Sequence, residues 1–240
     1  MKNFIKEYFR KKQYERAIED ILYRPLDRLE KRADLIKKSK SQLRQDLFVL
    51  LETDFKENGF FVEFGATNGV DLSNTHILEK EFHWNGILAE PARAWHTDLQ
   101  KNRSCSIEMN CVWSDSDSIL DFNETNETEL STITKYKDND WASKKRQHGT
   151  IYPVSTISLV DLLIKHNAPK VVDYLSIDTE GSEYQILSNF NFDAYQFRVI
   201  TCEHNYTPMR EQIYDLLTSN GYQRKYVELS KWDDWYIKPI

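Results

Sequence analysis

Phe60-Phe61-Val62-Glu63-Phe64-Gly65-Ala66-Thr67-Asn68-Gly69 runs from a short aromatic and β-branched segment into a turn of small residues. An apolar run of this length, closed by glycines, reads as a strand of a parallel sheet covered on both faces. Glycines at the carboxyl end of a first strand let backbone approach a ligand closely, and small side chains keep the crevice open. The turn lacks the third glycine of GxGxxG, which holds a pyrophosphate on a helix N-terminus. A ligand with an amino-acid tail and an adenosine suits it better than a diphosphate. Glu63, at the strand end, is placed to accept bonds from an ammonium or to organise the loop.

Downstream of this stretch, strands and helices alternate. A helix is expected from about Ser73, then the strand GILAE (86–90), a helix with Trp95 and Leu99, and the strand SCSIEMNCVW (104–113). SILDF (118–122) is a further strand candidate, and 151–157 another. Residues 123–150 are polar with few apolar anchors and read as a long loop, of the kind that serves as a functional lid. A helix over 159–166, the strand VVDYLSI (171–177), a helix over 183–190 and the strand FRVITCE (197–203) follow. Thr207-Pro208 opens a helix to about Asn220. Two last strands, 222–229 and 232–237, are close enough to form a hairpin. The pattern predicts an α/β fold: a doubly wound, mostly parallel sheet with a C-terminal antiparallel hairpin. That combination resembles the class I S-adenosylmethionine-dependent methyltransferase fold more than a nicotinamide-binding one.

Upstream, apolar residues at three- and four-residue steps predict helices over 3–24 and, after Pro25, to about residue 38. Another is expected from Ser41, with Gly59 placed to end it. Residues 1–40 thus read as a basic helical N-terminal arm and 41–240 as the main domain. Residues 1–44 carry 14 Lys and Arg against 7 Asp and Glu, whereas the remainder carries 18 against 31. The acidic body is a poor nucleic-acid reader. The basic arm reads first as a solvated helical arm, with dimerisation or peripheral association as the alternative. No apolar stretch is long enough to span a bilayer and the first residues lack a secretory signal, so a cytoplasmic protein is expected. Cys105, Cys111 and Cys202 form no CxxC pair, and a disulfide framework or zinc site is not expected.

Several side chains stand where such folds do chemistry. Glu90, followed by Pro91, ends the second strand 27 residues after Glu63, where a carboxylate grips a ribose diol. Ser73, Asn74 and Thr75 open the intervening helix and could cap it or receive a carboxylate. Asp178-Thr179-Glu180-Gly181-Ser182-Glu183 and Glu203-His204-Asn205 follow two central strands. Their carboxylates and the imidazole could deprotonate a hydroxyl, or Asp178, Glu203 and His204 could hold a divalent cation such as magnesium. Sequence alone leaves both readings open.

FFVEFGATNGVDLSNTHILEKEFHWNGILAEPA, with LVDLLIKHNAPKVVDYLSIDTEGSEYQIL and VITCEHN, resembles the FkbM family of methyltransferases over roughly residues 57–210. IDTEGSE is similar to the family's Ile-Asp-x-Glu-Gly-x-Glu hallmark. The resemblance implies S-adenosyl-L-methionine as cofactor and O-methylation of a small molecule, commonly a sugar or natural-product hydroxyl. It further implies that Glu63, Gly65, Asn68 and Gly69 line the methionine half, with Asn74 and Thr75 at its carboxylate; Ala66 in the same turn and Ser73 at the helix start are cofactor-binding candidates beside them. Glu90 then meets the ribose, and Cys111 and Val112 the adenine edge, with Pro91 a further cofactor-binding candidate beside Glu90. Asp178 and Glu180 belong to the hallmark, and His204 follows the next strand; His204 or a carboxylate such as Asp178 or Glu180 is the expected base. Asn68 stands where a subgroup often has Asp, and Ser176 where the family usually has Lys. A non-catalytic nucleoside-binding scaffold, and an RNA or protein methyltransferase, are the competing readings.

Overall fold

The computed structural model describes residues 29–239, so the helix expected over 3–24 lies outside the described residues. Among the described residues, eleven strands form two sheets. The larger contains β1 (Phe60–Phe64), β2 (Asn85–Ala89), β3 (Ser106–Glu108), β8 (Val171–Ile177), β9 (Gln196–Glu203), β10 (Gln223–Lys225) and β11 (Asp233–Ile237). Its order is β10-β11-β9-β8-β1-β2-β3. Strands β3, β2, β1, β8 and β9 run parallel, and β11 enters antiparallel between β9 and β10.

Helices cover both faces, as the continuous apolar strands require. Val62, Phe64, Ile87, Leu175, Ile177 and Ile200 pack against helices α5 (Leu159–Lys165), α6 (Glu183–Ser188) and α7 (Met209–Ser219). The alternate residues Phe61, Leu88, Tyr174 and Val199 face α2 (Gln45–Glu52), α3 (His76–Phe82) and α4 (His96–Asn102). This alternation follows from the two-residue period of a strand. The remaining α-helices among the described residues are α1 (Leu29–Lys38) and the short α8 (Val227–Ser230). The result is the three-layer class I S-adenosylmethionine-dependent methyltransferase fold with its antiparallel C-terminal strand.

Three sequence expectations change. The run 104–113 is not one strand: it breaks at Met109-Asn110, β3 staying in the large sheet and β4 (Cys111–Trp113) joining a second one. That sheet, β4-β7-β5-β6, also holds β5 (Ile119–Glu124), β6 (Thr132–Ile133) and β7 (Thr150–Ser158). The hairpin's first strand stops at Lys225 because Tyr226, at φ 49°, turns the chain into α8. Gly59 does not end the preceding helix, which closes at Thr53; a Cβ at Gly59 would sit 2.5 Å from the Trp84 ring.

Candidate functional site

Strand register builds the site. Phe64 pairs with both Ala89 and Ile177, and Ile177 pairs with Cys202. The next residue of each strand, Gly65, Glu90, Asp178 and Glu203, therefore stands level at the carboxyl edge of the sheet. A cavity of about 540 Å³ opens there. Of the expected site residues, Glu63, Gly65, Asn74, Glu90, Pro91, Cys111, Val112, Asp178, Glu180 and Glu203 line it.

Glu90 is buried, and its two oxygens accept the backbone N–H groups of Thr67 and Ala92, each at 2.8 Å. Burial raises its carboxyl to about 7, against the lowering effect of those two bonds. Gly65 needs its missing side chain: at φ 73°, a Cβ would lie 2.0 Å from the Asp178 carbonyl oxygen. The two strand ends close on each other at that point.

Glu63 organises the loop. Its carboxylate accepts the Asn74 N–H at 2.6 Å, the Ser73 hydroxyl at 3.0 Å and the Thr75 hydroxyl. The buried Arg103 braces the same frame, donating to Glu79, to the Gly69 carbonyl, and to the Ser73 and Thr75 hydroxyls. Ser73 and Thr75 thus spend their hydroxyls inside the protein and do not line the cavity. Ala66 packs in the core, Gly69 lies against Leu99 and Arg103, and Asn68 folds back onto Val70 and Asp71. None of these three lines the cavity either. Asn74 does: its amide N–H₂ donates to Ser176 Oγ at 3.0 Å, while its buried Oδ1 has no partner among the described residues. Ser176 is therefore what orients Asn74.

Asp178, Glu180 and Glu203 each bring one oxygen within 4.8 Å of the others. Burial raises Asp178 to about 6, opposed by its hydrogen bond with Glu203. Burial, then Asp178, holds Glu203 well above the ordinary carboxylate range. Burial and the same neighbour raise Glu180, with Arg146 opposing them.

His204 does not join this trio. Leaving the strand after Glu203, it turns off the cavity: Nδ1 accepts the Tyr206 N–H at 2.9 Å, and Nε2 lies 3.8 Å from Asp234. Burial lowers its pKa to about 4. As base or metal ligand beside Asp178 and Glu203, the sequence expectation for His204 is corrected; the third group is Glu180. What His204 does is hold the turn of Asn205 (φ 44°) and Tyr206 (φ 57°), which line the cavity.

One buried guanidinium ties residues 123–150 together and to the acidic groups below. Arg146 donates to the Leu130 carbonyl, to both oxygens of Asp140 and to Glu180, while its carbonyl accepts the Asn123 amide. This segment brings Leu130, Ser131, Trp141 and Lys145 to the cavity mouth. Sequence reading missed these and Tyr206; in a polar stretch an arginine carries no mark of burial.

The Methyltransferase FkbM domain matches residues 63–224. No curated protein sequence matches the chain. Among solved structures, the chain is similar to methyltransferase FkbM from Methylobacillus flagellatus KT, with 11% identity and a TM-score of 0.47 over 85% of this chain and 57% of that one. It is also similar to a precorrin-6y C5,15-methyltransferase from Geobacter metallireducens GS-15, with 10% identity and a TM-score of 0.41 over 80% and 85%. A SAM-dependent methyltransferase from Aquifex aeolicus shares 13% identity, with a TM-score of 0.38 over 85% and 96%. The chain spans little more than half of the Methylobacillus protein. With 63–224 covered by one family domain, the chain belongs to the FkbM methyltransferase family.

Proposed function

We propose that the protein is an S-adenosyl-L-methionine-dependent O-methyltransferase acting on a hydroxyl of a small molecule, a saccharide or glycan precursor. The observation that carries this reading is the level row of strand ends, with Glu90 on one side and the Asp178–Glu180–Glu203 trio on the other. The cavity volume falls in the range of small-molecule sites. The residues present fit the cofactor. Glu90 retains lone pairs for a ribose diol, and the unpartnered Asn74 Oδ1 suits an ammonium. Cys111, Val112 and Pro91 offer an apolar wall for a purine.

S-adenosyl-L-methionine supplies an electrophilic methyl group. The chain's own work is to align the acceptor hydroxyl and to remove its proton. A carboxylate of the trio is the base: burial and like-charge neighbours raise these groups toward neutrality, which strengthens them as proton acceptors. The three oxygens are also hard ligands of the kind magnesium takes, but the Arg146 guanidinium already bonded to Glu180 disfavours a second cation there. Methyl transfer from labelled cofactor to a panel of glycosides, with and without EDTA, tests the reading. Transfer that survives EDTA and disappears in Glu203→Gln supports the carboxylate base. Transfer lost to EDTA and restored by magnesium replaces it with a metal, and none to any acceptor favours a nucleoside-binding scaffold.

A further inference from the structure

Charge and aromatic surface at the cavity mouth point to the class of acceptor. Five carboxylates at the strand ends line the cavity, and Glu127 and Glu129 add two at its rim; Lys145 is the only Lys or Arg lining it among the described residues. Lys145 is itself occupied, its Nζ lying 2.6 Å from Glu127 Oε2 and 5.4 Å from the Trp141 ring centroid. Arg146 gives its donors to Leu130, Asp140 and Glu180. A phosphate entering this cavity would find no free cation among the described residues, and it would have to sit beside carboxylates or force protons onto them.

Two aromatic side chains stand in the same lining with most of their surface open. Trp141 is 62% exposed and Tyr206 is 61% exposed. Neither is loosely placed. The Trp141 indole N–H donates to Asn205 Oδ1 at 3.3 Å, and Asn205 donates in turn to Glu180 Oε2 at 3.3 Å. Tyr206 is held in left-handed backbone, unfavourable for a bulky side chain, by its N–H bond to His204, whose ring lies 5.3 Å from its own at 75°. The chain thus spends hydrogen bonds and backbone strain to fix two exposed rings beside the trio.

We infer that Trp141 and Tyr206 form the acceptor subsite, and that its ligand is an unphosphorylated saccharide, neutral or amino-substituted. The inference rests on the methyltransferase reading for the word acceptor, while the binding preference stands on the cavity itself. The weakly polar C–H face of a pyranose lies against an aromatic ring, and its hydroxyls donate to the carboxylates and to Asn205. An ammonium substituent gains further from rings and acids together. Sugar phosphates, nucleotide sugars and nucleic acid are rejected by the same surface.

Saturation-transfer NMR on the full chain at pH 7.5 tests this directly. The probes are methyl glycosides of neutral hexoses, a methyl glucosaminide, hexose 1-phosphates and a nucleotide sugar. Saturation of the neutral and amino glycosides, with the phosphorylated probes silent, is expected. Trp141→Ala and Tyr206→Ala, both at exposed positions, should each weaken glycoside binding by up to about tenfold. Their S-adenosylhomocysteine affinity, measured separately, should stay within about twofold of the wild type. Binding by the phosphorylated probes at equal or greater strength, by no probe, or unchanged binding in both variants would overturn the subsite. Absence of S-adenosylhomocysteine binding in the wild type would strike the methyltransferase reading instead, leaving the glycoside result to stand or fall alone.

Discussion

Arg146 Nη2 donates to Glu180 Oε2 at 2.6 Å, and this bond joins the segment over the cavity mouth to the acidic trio beneath it. Both side chains are buried, as is that of Asp140, the other carboxylate on the same guanidinium. Removing one partner of such a pair leaves charge buried without compensation, at a cost of about 3–5 kcal/mol. Arg146→Ala should lose that much in urea unfolding. Arg146→Lys should recover part of it, keeping the charge but not the fork. An alanine variant within about 1 kcal/mol of wild type would contradict the anchoring role.

Gly65→Ala should fail more locally. Its Cβ would overlap the Asp178 carbonyl and its backbone would keep a positive φ, so β1 and β8 must part at their ends. Stability should fall by about 2 kcal/mol or more, and S-adenosylhomocysteine binding should be lost. Calorimetric affinity equal to wild type would show that the close approach does not shape the cavity.

Glu90 makes the unliganded protein sensitive to pH. Its carboxyl is raised by burial from 4.5 to about 7, so the native state holds this proton more tightly than the unfolded chain does. The stabilisation is fully present below about pH 4.5 and is lost as pH rises through 7, a change of about 3 kcal/mol. Asp233, raised to about 8 by burial, acts with the same sign. The contribution of Glu90 is therefore read as a difference: between pH 5 and 8, Glu90→Gln should lose less stability than wild type. Parallel unfolding curves at the two pH values would refute it.

Glu203→Gln should bind S-adenosylhomocysteine and transfer methyl groups at least about 100-fold more slowly. His204→Ala should act differently, raising the acceptor KM through Tyr206 without moving the pH profile of kcat. Loss of an ionisation from the profile in His204→Ala would return the imidazole to the chemistry.

The strands and the row at their ends were legible because short apolar runs, each closed by a turn or an acid, are local signals. Strand-end position singled out Glu90, Asp178 and Glu203, and all three line the cavity. The second sheet was not legible: 104–113 is one apolar run in sequence, and only the pairing of Cys111–Trp113 with β7 divides it. Ser73 and Thr75 looked like ligand contacts because small hydroxyls at a helix start serve either purpose, and only the packing of Glu63 and Arg103 shows which. His204 was misread for a more avoidable reason. Neighbours at a strand end point to opposite sides, so an imidazole beside a cavity-facing Glu203 is more naturally turned away.

Calorimetric titration with S-adenosylmethionine and S-adenosylhomocysteine, on wild type and Glu90→Ala, probes the proposed activity most directly. Micromolar binding by the wild type is expected, weakened at least about tenfold in Glu90→Ala by loss of two charge-assisted bonds. Wild-type protein that binds neither compound would contradict it.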